Sequence, residues 1–514
     1  MDAISLNIFS SQMNSICLEM GAVLQRSSFS PNIKDRLDFS CAIFDSEGEL
    51  CAQAAHIPVH LGSMAYAMRG IVRTCDWFEG DMLIVNDPFL GGTHLPDVTL
   101  IAPVFLNGQL MAFVVNRAHH ADIGASSPGS MPISRSLAEE GIIIAPTKLI
   151  EAGNLNDEFL AYLLSHMVDE AFSKGDFLAQ ISANNTGVSR LTELLDPVGE
   201  RGFRLGLKAL NAYGARMAQR GLSALPTGVF VFCDYMDDDG LGNRNIRIEA
   251  KLTIGEGRVH VDFSGTAPQV EGNINAPLSV AAAAVYYVFR CLMPEGTPAC
   301  AGTFSAITLA APEGCLLNAT RPAAVTAGNV ETSTRVVDVV LGALVKAVPT
   351  LIPAASHGSM NNVAMGGRDE GRAWNYYETI GGGMGAGECG GGLSGVQTHM
   401  TNTLNTPIES MEMHFPLRVR RYSLRGGSGG RGKIPGGDGL IREFEFLENA
   451  NITLITERRT TSPWGVLGGE SAALGVNLLD GVVLPAKVSK PVTAGQRLVI
   501  KTPGGGGWGM LISE

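Results

Sequence analysis

Residues 97–119, DVTLIAPVFLNGQLMAFVVNRAH, contain two apolar runs around a short polar turn. The runs at 98–105 and 110–117 are rich in β-branched and aromatic residues, which favour strands. Asn107-Gly108 separates them, and Asn-Gly between apolar runs is the strongest short-range signal for a β-hairpin. The stretch therefore predicts two antiparallel strands that bring the chain back to where the first strand begins.

The register of this hairpin determines which polar residues meet at its open end. With the turn centred near 107–108, paired positions sum to about 215, so Asp97 is expected opposite residue 118, and His119 opposite residue 96. Directly opposed residues in an antiparallel pair have Cβ atoms ~5 Å apart. The side chains expected to cluster at this end are His94, Asp97, His119, His120 and Asp122.

Imidazole and carboxylate groups in one such cluster match the ligands preferred by Zn, Mn or Fe. Gly91-Gly92 allows the preceding loop to bend tightly, while Pro88 and Pro96 stiffen it. A single HxxD motif in a loop is more typical of a simple His–Asp hydrogen bond. Because the HLPD and HHAD motifs converge across one predicted hairpin, we favour a metal site.

Composition excludes several classes of protein. The net charge is −12, whereas a nucleic-acid surface needs clustered Lys and Arg. The longest apolar run, Leu278 to Phe289, has about 12 residues, short of the ~18 that a membrane-spanning helix needs. No Lys or Arg precedes Arg26, and the nine cysteines have no CxxC spacing. We expect a cytoplasmic protein without a membrane segment, a nucleic-acid partner or a thiolate metal site.

The order of helical and strand patterns predicts an α+β fold with mixed sheets and helical insertions, rather than a repeating βαβ chain. Candidate helices at 157–172, 176–183, 187–196 and 200–222 form the main insertion. The predicted domains are a metal-site α+β region at 1–150, a helical region at 151–225, an α+β region at 226–350 and a glycine-rich, mainly β region at 351–514.

Glycines concentrate at 381–395, 426–439 and 504–509. Residues 427–434, GSGGRGKI, nearly fit a phosphate-binding P-loop, but Ile434 replaces the Ser or Thr that holds Mg²⁺, and IPGGDG follows instead of a helix. Tight turns or chain crossings explain these segments better. We therefore expect no ATP site in this chain.

Two further groups of polar residues have ordinary structural explanations. Glu331 and Arg335 are four residues apart on a predicted helix, which favours an intrahelical ion pair over a substrate clamp. His56 and His60 flank Ile-Pro-Val. They are candidates to line the site, but histidines in such positions are more often structural.

Six ordered motifs resemble the hydantoinase B / 5-oxoprolinase family, which includes B subunits of ATP-dependent hydantoinases, oxoprolinases and lactamases and the related alpha subunits of ketone carboxylases. The motifs are NIKDRLDFSCAIFD, NDPFLGGTHLPDV, RAHHADIG, DFSGTAPQVEGNINAP, GNVETSTRVVDVVLGAL and TPGGGGWG. Matched motif by motif, the resemblance implies that the metal ligands are Asp38, His94, Asp97 and His119. One segment, Thr297–Ile307, departs from the family pattern by lacking an Asn and an Arg.

The resemblance implies a metal-bearing B subunit of an ATP-dependent cyclic-amide hydrolase that opens hydantoin, 5-oxoproline or lactam rings. ATP and Mg would be held by a separate A-type subunit with an actin-like fold, in a hetero-oligomer. His120 and Asp122 would be the nearest general-base or orienting groups. The alternatives are a subunit of an ATP-dependent ketone carboxylase and a non-catalytic scaffold whose metal is structural.

Overall fold

The computed structural model describes residues 1–54, 56–369 and 372–511, and it confirms an α+β fold with several sheets. The helices are Ala3–Ser27 (α1), Pro31–Lys34 (α2), Pro58–Ile71 (α3), Asp157–Leu164 (α4), Glu170–Leu222 (α5), Leu278–Cys291 (α6), Ala301–Phe304 (α7), Ser333–Val345 (α8) and Ile408–His414 (α9). A π-helical turn, Gly328–Thr332, leads directly into α8.

The strands follow the chain in order. They are Phe39–Asp45 (β1), Leu50–Gln53 (β2), Met82–Val85 (β3), Asp97–Leu106 (β4), Gln109–His119 (β5), Thr147–Glu151 (β6), Asn154–Leu155 (β7), Gly228–Asp238 (β8), Arg244–Gly255 (β9), Arg258–Asp262 (β10), Ile307–Ala310 (β11), Asn362–Asp369 (β12), Arg372–Glu378 (β13), Leu417–Arg425 (β14), Gly439–Phe446 (β15), Ala450–Ile455 (β16), Val476–Leu479 (β17), Val482–Leu484 (β18), Lys487–Val492 (β19) and Arg497–Lys501 (β20).

These strands form four sheets. A seven-stranded sheet has the order β2-β1-β5-β4-β3-β6-β7, and a five-stranded sheet has the order β14-β15-β20-β17-β18. The two four-stranded sheets are β11-β10-β9-β8 and β13-β12-β16-β19. The pair β10–β11 is parallel, which makes its sheet mixed. The division of the chain into four domains stays a prediction.

The predicted hairpin is the pair β4–β5, but the expected register was wrong by one residue. Near the turn, Leu106 faces Gln109, as the predicted sum requires. A β-bulge between Val104 and Phe105 then shifts the pairing, so that Asp97 lies directly opposite His119. The two polar residues are therefore cross-strand neighbours, closer than the sequence arithmetic placed them.

The three candidate helices between 176 and 222 form one element, α5, which has 53 residues. Pro197 and Gly199, which has a φ of 65°, produce a kink rather than an end. The apolar stripe continues past the kink, where the Phe203 ring packs 5.8 Å from that of Phe9 on α1. Despite the length of α5, no helix in the described part of the chain is long and apolar enough to cross a bilayer.

The seven-stranded sheet is covered on both faces. One face packs against α1 and α5 through residues such as Met20 and Phe177, and the other packs against α3 through Met64 and Met68. Helix α3 in turn lies on α6 so closely that a Cβ on Gly62 would be 2.6 Å from the Ala283 Cα. The open end of the β4–β5 hairpin is therefore enclosed by protein.

The glycine-rich segments cross one another with their backbones in contact, as expected. The amide of Gly437 donates to Met384 O at 2.9 Å, and the amide of Gly505 donates to Gly437 O at 2.9 Å. A Cβ on Gly505 would lie 2.0 Å from Met384 O. Side chains would prevent these crossings, which explains the local glycine content without a bound nucleotide.

Gly505→Ala should destabilise the protein by roughly 1–3 kcal/mol or more, since the new methyl group must displace backbone atoms. Gly426→Ala is the matched control, because a Cβ there has no neighbour within 4 Å. Chemical denaturation of both variants measures the difference. Equal stability of the two variants would contradict the crossing described here.

Candidate metal centre

Asp97 lies at the centre of a buried group of histidines. Its Oδ1 is 3.2 Å from His94 Nε2 and 3.2 Å from His119 Nδ1. Its Oδ2 is 3.2 Å from His60 Nε2. All four side chains are shielded from solvent. The HLPD and HHAD motifs are therefore brought together, as the hairpin predicted.

Neighbouring polar groups hold the Asp97 carboxylate in one orientation. Thr93 Oγ1 donates to Asp97 Oδ2 at 2.6 Å, and Asn329 Nδ2, from the π-helical turn, donates to the same oxygen at 3.1 Å. Both donors bind Oδ2, and Oδ1 is left toward His94 and His119. The carboxylate thus presents Oδ1 to the space between His94 and His119.

The loop before β4 places His94 beside this oxygen. Gly91 has a φ of 111°, and a Cβ on Gly92 would lie 2.3 Å from Asn86 O. The amide of Asp97 donates to His94 O at 3.1 Å, which closes a tight turn between the two residues. His94 Nδ1 lies 3.2 Å from Thr326 O, so this carbonyl fixes the ring with Nε2 toward Asp97.

The arrangement fits a divalent cation. His94, Asp97 and His119 each offer one ligand atom, and these atoms lie within 4.8 Å of one another. His94 Nε2 and Asp97 Oδ1 face each other at 3.2 Å without hydrogen-bond geometry, and His119 Nε2 is buried without a hydrogen-bond partner among the described residues. Buried polar atoms are nearly always satisfied, and two imidazole nitrogens with one carboxylate oxygen suit Zn, Mn or Fe.

The charge states of Asp97 and His119 suit metal ligands. For His94, burial is outweighed by Asp97, which raises the pKa of the ring, and this ring must lose its proton to bind a metal. Burial by itself would raise the pKa of Asp97, but His60 and His94 outweigh burial and hold that pKa well below its ordinary value. Burial lowers the pKa of His119, against the opposing effect of Asp97. An ionised carboxylate and a neutral imidazole are the forms that bind metal.

Asp38 lies beside this group rather than within it. Its Oδ1 is 3.9 Å from His60 Nε2, and its Oδ2 is 3.7 Å from a guanidinium nitrogen of Arg36. Its carbonyl accepts from the amide of His119 at 2.9 Å, so the two backbones are adjacent. The role of Asp38 as a fourth ligand stays a prediction.

The sequence favoured a structural role for His60, but its side chain belongs to the buried group around Asp97. Pro58 begins α3, and His60 in the first turn points toward Asp97 and Asp38. His60 Nδ1 lies 3.4 Å from Ser40 Oγ on β1. The available signal was the position of His60 just after a helix-starting proline, but α3 is distant in sequence from the hairpin.

His120 and Asp122 have other surroundings. His120 Nε2 meets Gln180 Oε1 at 2.9 Å, and its ring packs 4.5 Å from that of Phe177, because successive residues of a strand point to opposite faces. The Asp122 carboxylate accepts from the amides of Gly124 and Val168 at 2.8 and 2.6 Å. Neither side chain joins the group around Asp97, and their catalytic roles remain predictions.

An aromatic stack supports His119 from the C-terminal part of the chain. Tyr377 on β13 lies parallel to the His119 ring, with centroids 5.0 Å apart and planes inclined by 9°. The guanidinium of Arg36 lies 4.8 Å from the centroid of Tyr377. The Tyr377 hydroxyl donates to Asn362 Oδ1 at 2.6 Å. The ring orientation of His119 therefore depends on a sheet far away in sequence.

The expected ion pair between Glu331 and Arg335 is wrong. Arg335 instead lies 3.1 Å from Glu457 Oε2, while Glu331 Oε1 accepts from Asn362 Nδ2 at 2.6 Å. Tertiary partners thus replace the neighbour on the helix. Burial, with Glu457 nearby, raises the pKa of Glu331 to about 8.

A large antiparallel sheet with a buried imidazole and carboxylate cluster at the end of two of its strands defines a candidate metal-binding protein. The chain belongs to the hydantoinase B/oxoprolinase family, whose model matches residues 2–511. This membership confirms the resemblance drawn from the motifs.

Three proteins illustrate the relationship. The chain is 40% identical to an uncharacterised protein of Methanocaldococcus jannaschii, over 99% of this chain and 91% of the relative. It is 41% identical to 5-oxoprolinase 1 of Arabidopsis thaliana, over 99% of this chain and 42% of the relative. It therefore spans about two-fifths of that relative's length. The crystal structure of an ATP-dependent caprolactamase from Pseudomonas jessenii matches with a TM-score of 0.93 at 27% identity, covering 99% of this chain and 91% of that one.

His94→Ala should lower the affinity of the chain for Zn²⁺ or Mn²⁺ by about 100-fold or more, because it removes one of three converging ligand atoms. Elemental analysis of the purified protein and titration of the apo form measure this loss. His260→Ala, at an exposed position of β10, is the matched control and should leave metal content unchanged. Unaltered metal content in His94→Ala would contradict the assignment.

Glu331 should make stability fall as pH rises. The unfolded carboxyl ionises near its ordinary pKa of 4.5, whereas the folded one keeps its proton until about pH 8. Stability is therefore greatest below the lower value and is lost progressively up to the higher one. Between pH 5 and pH 8, the free energy of unfolding of Glu331→Gln should fall by about 2–4 kcal/mol less than that of the parent protein, as measured by urea unfolding. The exposed Glu295→Gln should leave the slope unchanged; the same slope in both variants would refute the assignment.

Proposed function

We propose that this chain is the metal-bearing B subunit of an ATP-dependent cyclic-amide hydrolase, with ATP bound by a separate A-type subunit. The observation that carries the proposal is the convergence of buried imidazole and carboxylate atoms from His94, Asp97 and His119 within 4.8 Å of one another. The names of the relatives support the reaction class, since one is an ATP-dependent caprolactamase and another a 5-oxoprolinase.

A cyclic amide is a poor electrophile because resonance delocalises the nitrogen lone pair into the carbonyl. Phosphorylation of the amide oxygen by ATP would convert it into an imidate-like ester with a good leaving group. Water must then attack the activated carbon. A bound divalent cation would lower the pKa of water toward ~7 and so supply hydroxide near neutral pH.

The chain's own residues would prepare this site. The cation would be held by His94, Asp97 and His119. Hydrogen bonds from Thr93 and Asn329 prevent rotation of the Asp97 carboxylate. His60 Nε2, 3.2 Å from Asp97 Oδ2, would donate a hydrogen bond to that oxygen and keep it anionic. Burial of the whole group excludes bulk water, which strengthens the electrostatic interactions among these side chains and a bound cation.

Binding of ATP to another polypeptide is consistent with the glycine-rich segments. In the structure, Ile434 pairs with Trp508 in an isolated bridge, and the backbones of the described glycine segments contact one another. The strand–loop–helix setting of a P-loop is absent around residues 427–434. The greater length of the matched 5-oxoprolinase leaves room for an ATP-binding part in that relative.

Co-expression of this chain with an A-type subunit should yield ATP hydrolysis that depends on a cyclic amide. Hydantoins, 5-oxoproline, lactams and small ketones would be screened by following ADP and the ring-opened product. His94→Ala should reduce ring opening by at least 100-fold, since it removes a ligand to the ion that activates water. His260→Ala is again the control.

The screen separates the proposal from its alternatives. Turnover of a ketone that requires bicarbonate would identify a carboxylase instead of a hydrolase. Full ring opening by the His94→Ala complex would indicate a scaffold with a structural metal. ATPase activity of this chain alone would contradict a separate ATP-binding subunit.

A further inference from the structure

A cleft of about 550 Å³ lies on the opposite side of the β5 end from the metal centre. His119 belongs to the metal centre, whereas the next residue, His120, lines the cleft. The cleft is bounded by the end of α1, by α2, by the start of α5, and by β13 and α9. Its volume falls within the range of small-molecule sites, roughly 300–1,000 Å³.

His120 offers a hydrogen-bond acceptor to this cleft. Gln180 Nε2 donates to Val98 O and to Asn116 Oδ1, both at 2.9 Å, which directs Gln180 Oε1 toward His120. His120 Nε2 must therefore donate to Oε1 at 2.9 Å. A neutral ring with its proton on Nε2 presents Nδ1 as an acceptor, and Nδ1 makes no hydrogen bond to the described residues.

Asp176 offers a second acceptor, and this one is charged. Its Oδ1 accepts from the amides of Phe29 and Ser30 at 2.8 and 3.1 Å. Its Oδ2 has no hydrogen-bond partner among the described residues, although Asp176 is only 2% exposed and lines the cleft. A carboxylate in this position favours a ligand that is a cationic donor.

The walls of the cleft also suit a cation. Phe29 and Phe172 form an edge-to-face pair with centroids 6.1 Å apart, and Trp374 lies 6.0 Å from Phe415. Aromatic faces attract ammonium groups. Lys34 and Arg26 are exposed cations among the lining residues, so the cleft also offers partners for an anionic group of the same ligand.

We propose that this cleft binds a primary ammonium group through Asp176 and His120, as the amine end of an ω-amino acid whose carboxylate reaches Lys34 or Arg26. Opening a lactam or 5-oxoproline ring releases an amine and a new carboxylate on the same molecule, whereas opening a hydantoin releases no amine. The identification of the ligand as the ring-opened product rests on the proposed function, whereas the preference for an ammonium group rests on the cleft. The cleft is then a site for product release or product control.

Calorimetric titration of the full chain with 6-aminohexanoate and with hexanoate tests the proposal. The two probes share a carboxylate and differ in the ammonium group, so 6-aminohexanoate should bind at least tenfold more tightly. Equal binding of the two probes, or no binding of 6-aminohexanoate, would overturn the proposal. Preferential binding of neutral caprolactam would also overturn it and indicate a substrate site.

Two variants locate the binding within the cleft. Asp176→Asn keeps an oxygen for the amides of Phe29 and Ser30 but removes the charge at Oδ2. This variant should weaken the binding of 6-aminohexanoate at least tenfold. Phe172→Ala removes an exposed aromatic wall and should weaken it several-fold without affecting the core. Glu313→Gln, at an exposed turn, should have no effect. Unchanged binding in both cleft variants would refute the assignment.

The metal-site variant separates this proposal from the proposed function. His94→Ala should reduce ring opening by the complex at least 100-fold and leave 6-aminohexanoate binding intact. If no cyclic amide is opened but the ammonium preference and the effect of Asp176→Asn persist, the proposed function fails and the ammonium site stands. If ring opening occurs and 6-aminohexanoate does not bind, the cleft proposal alone fails.

Discussion

One buried carboxylate, Asp97, contacts four separate elements of this protein. It touches histidines from the loop before β4, from the end of β5 and from the first turn of α3, and it accepts from Asn329 in the π-helical turn. An isolated buried charge is costly, so each of these elements must be in place for Asp97 to remain ionised. The cluster therefore couples the seven-stranded sheet to helices on both sides of the chain's midpoint.

The same constraint explains which parts of the site could be read from the sequence. Asn107-Gly108 predicted the hairpin, and with it the meeting of His94, Asp97 and His119. The bulge at Val104 and Phe105 could not be foreseen, because a bulge depends on packing and twist rather than on a residue motif. The error of one residue in register follows directly from it.

Long-range contacts account for what the sequence did not reveal. His60 contacts Asp97 because α3 packs across the sheet. Tyr377 on β13 stacks on His119, although the two residues are 258 positions apart in sequence. The Glu331–Arg335 spacing predicted a local ion pair. The Arg335 guanidinium instead donates to Glu457, which is 122 residues away in sequence. Local patterns define elements well, whereas the partners of buried charges are chosen by the tertiary fold.

The alternation of side chains at the end of β5 gives one strand two chemical environments. His119 contributes to the candidate metal centre, and His120 contributes to the cleft on the other face. The most direct test of the central claim is X-ray absorption spectroscopy of the purified, metal-loaded chain. The structure predicts a nearest shell with two imidazole nitrogens and at least one carboxylate oxygen, and no sulfur. A shell containing sulfur or lacking imidazole would contradict the assignment of His94, Asp97 and His119.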